Sequence, residues 1–317
     1  LGTSPWYLRG LRDEGAMAER FARMLASGRY PVDLIQRAPQ AVQILSKPDN
    51  LRPLPLDQLR SEMRSAAALH DDVSAKISAV RALRRRELLR ISAGDLLGYI
   101  DLEQVGAGLT DVASAVLDVA FEVVMGDDPL PLAVIALGRG GGGEMSYASD
   151  ADAVIVIGDD APSDRAAKVV ETVRRELGKS VPGVPPLTLD LDLRPEGRDG
   201  PLVRTRGSYR AYHERWSETW EQQALLRAAH GAGDAELSAR FLEQIGPLRW
   251  PEALPRSAVQ QIRRLKARME SERLPRGIDR KRHLKLGPGG LADVEWTVQL
   301  MQLRHAHEIP GLRTTHT

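Results

Sequence analysis

The sequence contains no cysteine. That excludes disulfides, thiolate zinc sites and cysteine nucleophiles, and it fits a reducing cytoplasm. No apolar run reaches the roughly 18 residues that a membrane-spanning helix needs, and no signal-peptide pattern opens the chain. Charge of one sign is also missing: 44 Lys and Arg face 43 Asp and Glu, for a net of +1. Nothing in that balance calls for nucleic acid or an anionic membrane as partner. The seven histidines lack zinc-ligand spacing, and His305 and His307 fall near the end of a predicted helix, where terminus or surface roles suit them. No G-x-S-x-G elbow supports a serine hydrolase. The glycine run at 140–143 is not followed by Gly-Lys-Ser/Thr, so it is not a P-loop. Gly138-Arg139-Gly140 fits a dinucleotide fingerprint poorly, because acids rather than a long helix follow it.

What is present is a chain of 317 residues, 42% hydrophobic and 27% charged, long enough for a sizeable core and about two domains. It opens on Leu1 rather than Met, which reads as a piece of something longer. From Ser4 to about Ile100 apolar residues recur at helical spacing, as in Met17, Phe21, Met24 and Leu25. The last long helix of that region sets Arg81, Arg84, Arg85, Arg86 and Arg90 beside Leu83, Leu88, Leu89 and Ile91, a basic face whose plain account is solvated charge. A second long helix is expected to begin at Thr110 or Asp111. Short β-rich runs follow at Leu132 to Leu137, Ala153 to Ile157 and Leu187 to Leu193, with a helix over Ser163 to Lys179 and a Pro/Gly connector over Val181 to Pro186. Helices then return at about Ser208 to Trp216, Glu218 to His230, Asp234 to Ile245, Ser257 to Glu272 and Leu291 to His307. The pattern predicts an α+β chain: a helical region over 1–105, an α/β core over 106–230 and a helical region over 231–317.

The stretch from Gly138 to Asp152 lies between two predicted strands and carries the most information. Glycines without Cβ let backbone amides close on an anion, and a strand beginning near Asp150 turns Asp150 and Asp152 to one face, where they can share a metal. Phosphoryl and nucleotidyl transfer need such a cluster, because charge spreads over the phosphorus oxygens and the leaving pyrophosphate. Magnesium takes carboxylate oxygens, keeps some waters and neutralises that charge. The run from Leu187 to Pro195 supplies a third acid: alternation puts Asp190 and Asp192 on one face, and Arg194 adds a cation for phosphate. Turn chemistry and the wet face of a half-buried strand would explain either segment alone. Together the segments hold the three parts that one active site requires.

These residues resemble the glutamine synthetase adenylyltransferases, members of the DNA polymerase beta-like nucleotidyltransferase superfamily. Gly138-Arg139-Gly140-Gly141-Gly142 through Ser149-Asp150-Ala151-Asp152 is similar to the family's G-K-L-G-G…S-D-x-D. Asp190-x-x-Leu193-Arg194-Pro195-x-Gly197 resembles its D-x-x-L-R-P-x-G. Trp220-Glu221-x-Gln223-Ala224-Leu225-x-Arg227 resembles W-E-x-Q-A-L-x-R, and the segment from Lys285 to Trp296 resembles K-x-G-x-G-G-L-x-D-I-E-[FW]. The family's proteins carry two related halves, one adding AMP to a glutamine synthetase tyrosine and one removing it by phosphorolysis. Leu193 to Arg198, Gly200 to Arg204 and the tail from Trp296 to His307 look more like the adenylylating half of actinobacterial members. Arg139 stands where many members have Lys, Gly140 replaces a usual Leu, and Asp192 is an added acid.

The resemblance implies a nucleotidyltransferase core of small mixed sheet flanked by helices. It implies ATP as substrate with Mg2+, or Mn2+ in its place, on Asp150, Asp152 and Asp190. The triphosphate would lie against Gly140, Gly141, Gly142 and Ser149, with Arg194 as a further phosphate contact. Asp190 would also orient or deprotonate the incoming tyrosine. Glutamine synthetase is the implied protein substrate, a PII-type signalling protein a candidate partner, and the cytoplasm the setting. The reverse, phosphorolytic reaction and a nucleotide-binding scaffold without turnover are the alternatives. Trp220, Glu221 and Gln223 either shape a nucleotide pocket or are structural. Arg273, Arg276, Arg280, Lys281, Arg282 and Lys285 form a basic loop, and helical spacing turns Asp293 and Glu295 to different sides.

Overall fold

A computed structural model describes residues 12, 15–36, 38–180, 185–272, 274 and 277–317. The expected helical start at Ser4, connector residues 181–184, and Arg273 and Arg276 of the basic loop lie outside the described residues. The N-terminal region is helical, as its apolar spacing requires: α1 (Gly15–Ser27), α2 (Arg29–Gln36), α3 (Leu56–Ala67), α4 (Val73–Leu96) and α5 (Leu102–Met125). Side chains that accept from orphan amides fix where the two long helices begin. Asp72 accepts from Ala75 N at the start of α4. Asp101 forms a capping box with Gln104 at the start of α5, about two turns ahead of the expected cap at Thr110 or Asp111. Gly106 and Gly108 lowered the helical signal there. Gly106 packs on the backbone of Gly143 and Glu144, and Gly108 on Pro53.

The arginine stripe of α4 is not simply a solvated face. Arg81 donates to Glu176 O (3.1 Å) and Arg84 to Pro185 O (2.7 Å), and both side chains are buried. Arg86 and Arg90 each hold the buried Glu87 carboxylate at 2.7 Å. The stripe therefore ties α4 to the segment that leads into the third strand.

The sheet is small and mixed. Strand β1 (Leu132–Ala136) pairs antiparallel with β2 (Ala151–Ile157) on one side and with β5 (Ala229–Gly233) on the other. The far edge of β2 carries two short parallel strands in succession, β3 (Leu189–Asp190) and β4 (Val203–Thr205). Leu132, Val134, Ala153 and Ile155 face a large core shared with the N-terminal helices and with α7 (Ser163–Gly178). Ala133, Ile135, Val154 and Val156 face a second core. It is built with Tyr209 of α8 (Arg206–Trp216), Leu225 of α9 (Thr219–Leu225) and Phe241 of α10 (Ala235–Gln244). Burial on both faces explains why β1 and β2 read as continuous apolar runs. A short turn, α11 (Gly246–Arg249), leads to α12 (Arg256–Glu272) and α13 (Leu291–His305), which close a third cluster of Leu226, Ile262 and Leu303. The α+β class is as expected. Among the described residues no helix is long and apolar enough to cross a membrane.

Two strands depart from the sequence expectation. The helix predicted to His230 stops at Leu225, and β5 follows it. The third strand stops at Asp190, where Asp192 N donates to Asp190 Oδ1 (2.8 Å) and turns the chain.

Candidate active site

Strand pairing brings the acids together. Asp152 is the register partner of Asp190 in the parallel β2–β3 pair, so both carboxylates leave the same face at the spacing of neighbouring strands, about 5 Å. Asp150 is exposed, one residue ahead of β2. On the other side Leu137 N donates to Asp152 O (2.8 Å), and the chain then winds into the single turn α6 (Gly138–Gly141). Gly138 has φ +51°, and a Cβ there would stand 2.7 Å from Asp152 Oδ2. Only glycine lets the backbone lie so close to that carboxylate.

Burial, then the neighbouring Asp190 and Asp150, push the Asp152 carboxyl up to about 6, although Lys285 and Arg139 pull it down. Three mutually repelling acids that still hold a carboxyl that high suit a divalent cation. Among the described residues no three Asp, Glu or His side chains converge into a ready-made cage. Asp150, Asp152 and Asp190 are the residues that could hold a divalent cation, with phosphate and water oxygens needed to complete its shell.

The same shift has a consequence for stability. A carboxyl whose folded pKa is raised stabilises the fold fully below its unfolded pKa of about 3.9, and that contribution is lost as pH climbs through about 6. In chelator, the wild-type melting temperature should fall between pH 4.5 and 7 relative to that of Asp152→Asn. The difference should be on the order of 1 kcal/mol, given the group's partial exposure. Parallel melting curves across that range would contradict the assignment.

The glycines divide by role. A Cβ on Gly141 would overlap the Arg227 carbonyl oxygen and approach Ala136 O at 2.7 Å, and one on Gly142 would overlap the Arg227 guanidinium. Their amides are engaged within the turn, Gly141 N to Leu137 O and Gly142 N to Gly138 O. A Cβ on Gly140 would meet only ordinary contacts, 3.8 Å to Ala136 Cβ and 3.9 Å to Met145 Sδ. Ser149 Oγ accepts from Ser146 N (2.9 Å), and Tyr147 donates to Asp95 Oδ2 (2.8 Å), pinning the loop ahead of the aspartates to α4.

Arg194 is buried beneath the β3–β4 loop. It donates to the carbonyls of Leu191 (2.8 Å), Arg198 (2.8 Å) and Gly200 (2.9 Å), so its guanidinium holds the loop. Asp192 does not share a strand face with Asp190 as alternation suggested. Its carboxylate turns to Arg198 (2.6 Å).

Further residues frame the site. Arg227 is buried, pairs with Glu144, donates to Thr315 O (3.1 Å) and lies 4.0 Å from Glu295. It couples the glycine turn to the C-terminal helices, a role the motif spacing did not reveal. Glu221 and Gln223 are buried and partnered, by Tyr212 OH (2.9 Å) and by Gln299 (2.5 Å). Trp220 is half-buried, with its indole N–H on Glu218 (2.7 Å). Asp293 pairs with Lys266 and accepts from Gly289 N (2.6 Å), whereas Glu295 turns toward Arg227, as helical spacing required. In the basic loop Arg280 pairs with Glu270 (2.8 Å). Lys285 is exposed, and its field reaches Asp152.

Comparison with known proteins shows the family. The family model for glutamate-ammonia ligase adenylyltransferase matches residues 18–244. Relatives named bifunctional glutamine synthetase adenylyltransferase/adenylyl-removing enzyme align with the whole chain. The one from Cutibacterium acnes is 51% identical over 321 residues, that from Streptomyces coelicolor 52% over 345, and that from Mycobacterium tuberculosis 48% over 336. Each alignment takes in 100% of this chain but only 32% to 34% of the relative, so the chain spans about a third of the length of the curated relatives it matches. On the motifs, the carboxylate cluster and this likeness together, the chain belongs to the glutamate-ammonia ligase adenylyltransferase family, a family of nucleotidyltransferase enzymes.

Proposed function

We propose that this chain is the adenylylating half of its longer protein. It would move AMP from ATP to a tyrosine of glutamine synthetase, releasing pyrophosphate, on a DNA polymerase beta-like nucleotidyltransferase core. The observation that carries this reading is the in-register pair Asp152 and Asp190 beside Asp150, closed on one side by Gly138.

Asp150, Asp152 and Asp190 would hold Mg2+, or Mn2+ in its place, together with triphosphate oxygens. When bound, the cation neutralises charge on the phosphates and on the departing pyrophosphate. Asp190, on the edge strand, holds the tyrosine hydroxyl and takes its proton. The phenolic oxygen bonds to the α-phosphorus, and the bond from that phosphorus to the pyrophosphate oxygen breaks. Gly140 and Ser149 border the phosphates, and Arg139 and Lys285 supply positive charge on either side of them. Gly141, Gly142 and Arg194 act by shaping the turn and the loop. ATP as donor puts the reaction in the cytoplasm, and the regulatory input of a PII-type signalling protein belongs to the same family-based reading.

The choice of half rests on the resemblance of the Leu193 to Arg204 segment and of the C-terminal tail. Incubation with ATP labelled at the α-phosphorus, magnesium and unmodified glutamine synthetase should label the acceptor and release one pyrophosphate per label. If the chain instead releases ADP from adenylylated glutamine synthetase and phosphate, and labels nothing from ATP, the direction proposed is wrong.

A further inference from the structure

Between the β3–β4 loop and helices α9, α12 and α13 lies a cleft of about 890 Å³, within the range of roughly 300–1,000 Å³ typical of small-molecule sites. Its walls come from separate parts of the chain. Trp220 of α9, Trp296 of α13 and Ile262, Leu265 and Met269 of α12 all line it, with Arg264, Arg268 and Glu272 of α12 beside them. The remaining wall is the loop that leaves β3, at Asp192 and Leu193. Asp192 N is bonded to the Asp190 carboxylate, so the cleft begins two residues along the chain from the acid cluster.

We infer that this cleft receives the adenine and ribose of the nucleotide, with Trp220 and Trp296 as its stacking surfaces. The inference rests on the proposed function, which puts the phosphates at the aspartates. Two indoles with a thioether and aliphatic side chains make a slot for a flat heteroaromatic ring, since base stacking on aromatic faces is favourable and needs no particular hydrogen-bond pattern.

The surroundings hold the slot in shape. The Trp220 indole N–H donates to Glu218 (2.7 Å), which restrains the ring. Thr219 Oγ1 donates to Gln261 Oε1 (2.7 Å), which leaves the Gln261 amide N–H groups on the cleft wall as donors for a ring nitrogen. Glu221 and Gln223, next to Trp220 in the same motif, are buried and bonded elsewhere, so they fix α9 while Trp220 alone of the three faces the cleft.

The test uses the full chain with α,β-methylene-ATP, which cannot transfer AMP, and tripolyphosphate as a probe without a base. Trp220→Leu and Trp296→Leu should each weaken the analogue about tenfold, leave tripolyphosphate unchanged, and raise the KM for ATP with kcat little altered. Trp296→Phe should recover most of the affinity, because a flat ring is restored. Equal weakening of both probes would overturn the inference. So would an unchanged analogue affinity with a raised KM for glutamine synthetase, which would assign the cleft to the acceptor. A wild-type chain that binds the analogue through the tryptophans yet transfers no AMP would refute the proposed function and leave the adenine site standing.

Discussion

Asp152→Asn should transfer AMP on the order of a thousandfold more slowly than the wild-type chain, while melting no lower at pH 8. The two effects have one cause. Asp152 sits where burial and two acidic neighbours oppose its ionisation, the setting expected of the functional acid proposed above. A neutral amide of the same shape relieves the repulsion and removes the anionic oxygen on which a cation and the triphosphate would converge. Asp190→Asn should show the same loss, since its register position pairs it with Asp152 and its Oδ1 can still accept from Asp192 N as an amide oxygen. Asp192→Asn is the internal control. Its carboxylate is held by Arg198 and borders the cleft wall rather than the acid cluster, so AMP transfer should fall far less than in Asp190→Asn, with any defect in the KM for ATP. A thousandfold loss in Asp192→Asn with Asp190→Asn active would reverse the assignment of the third acid.

Gly141→Ala should destabilise the chain by roughly 3 kcal/mol or more, seen as a melting temperature lower by several degrees and as loss of transfer. The added methyl would overlap a backbone carbonyl of Arg227 and crowd that of Ala136, and neither can rotate away as a side chain does. Relief would require β1 and the start of β5 to part. Gly140→Ala, one residue earlier, meets only ordinary contacts and should melt like wild type, with any defect confined to the KM for ATP. Matching melting curves for the two variants would show that Gly141 is not wedged between strands.

That contrast shows what sequence could and could not reveal. The glycine run announces that backbone must come close to something, but it does not say to what. Gly138 lies against a carboxylate and Gly141 and Gly142 lie against Arg227, a residue 86 positions on from Gly141. Strands β1 and β2 were legible because both faces are buried and their residues are branched and apolar. Strand β5, Ala-His-Gly-Ala-Gly, has no strand propensity of its own. It pairs because β1 presents an open edge, with Gly231 fitting against Val134 O and Ala136.

The aspartates were legible as types and spacings, but the register of β2 with β3 that sets Asp152 opposite Asp190 was not, since the alternation spoke only of Asp190 and Asp192. Beyond Asp190 the alternation ends, because an aspartate side chain accepting from the amide two residues on turns the chain. Arg194 is the opposite case. A cation beside an acid on a strand reads as a phosphate contact, yet three carbonyls of its own loop occupy its guanidinium. Hydrogen bonds of that kind leave no mark on periodicity.

Everything proposed for this chain requires that Asp150, Asp152 and Asp190 form one divalent-cation site shared with a nucleotide triphosphate. The most direct measurement is a titration of Mn2+ followed by electron paramagnetic resonance, with and without α,β-methylene-ATP, in the wild type and in the chain bearing Asp150→Asn, Asp152→Asn and Asp190→Asn together. Mn2+ binding should tighten when the analogue is present, and none should rise above background in the triple variant. Equal binding by both proteins, or binding indifferent to the analogue, would contradict it.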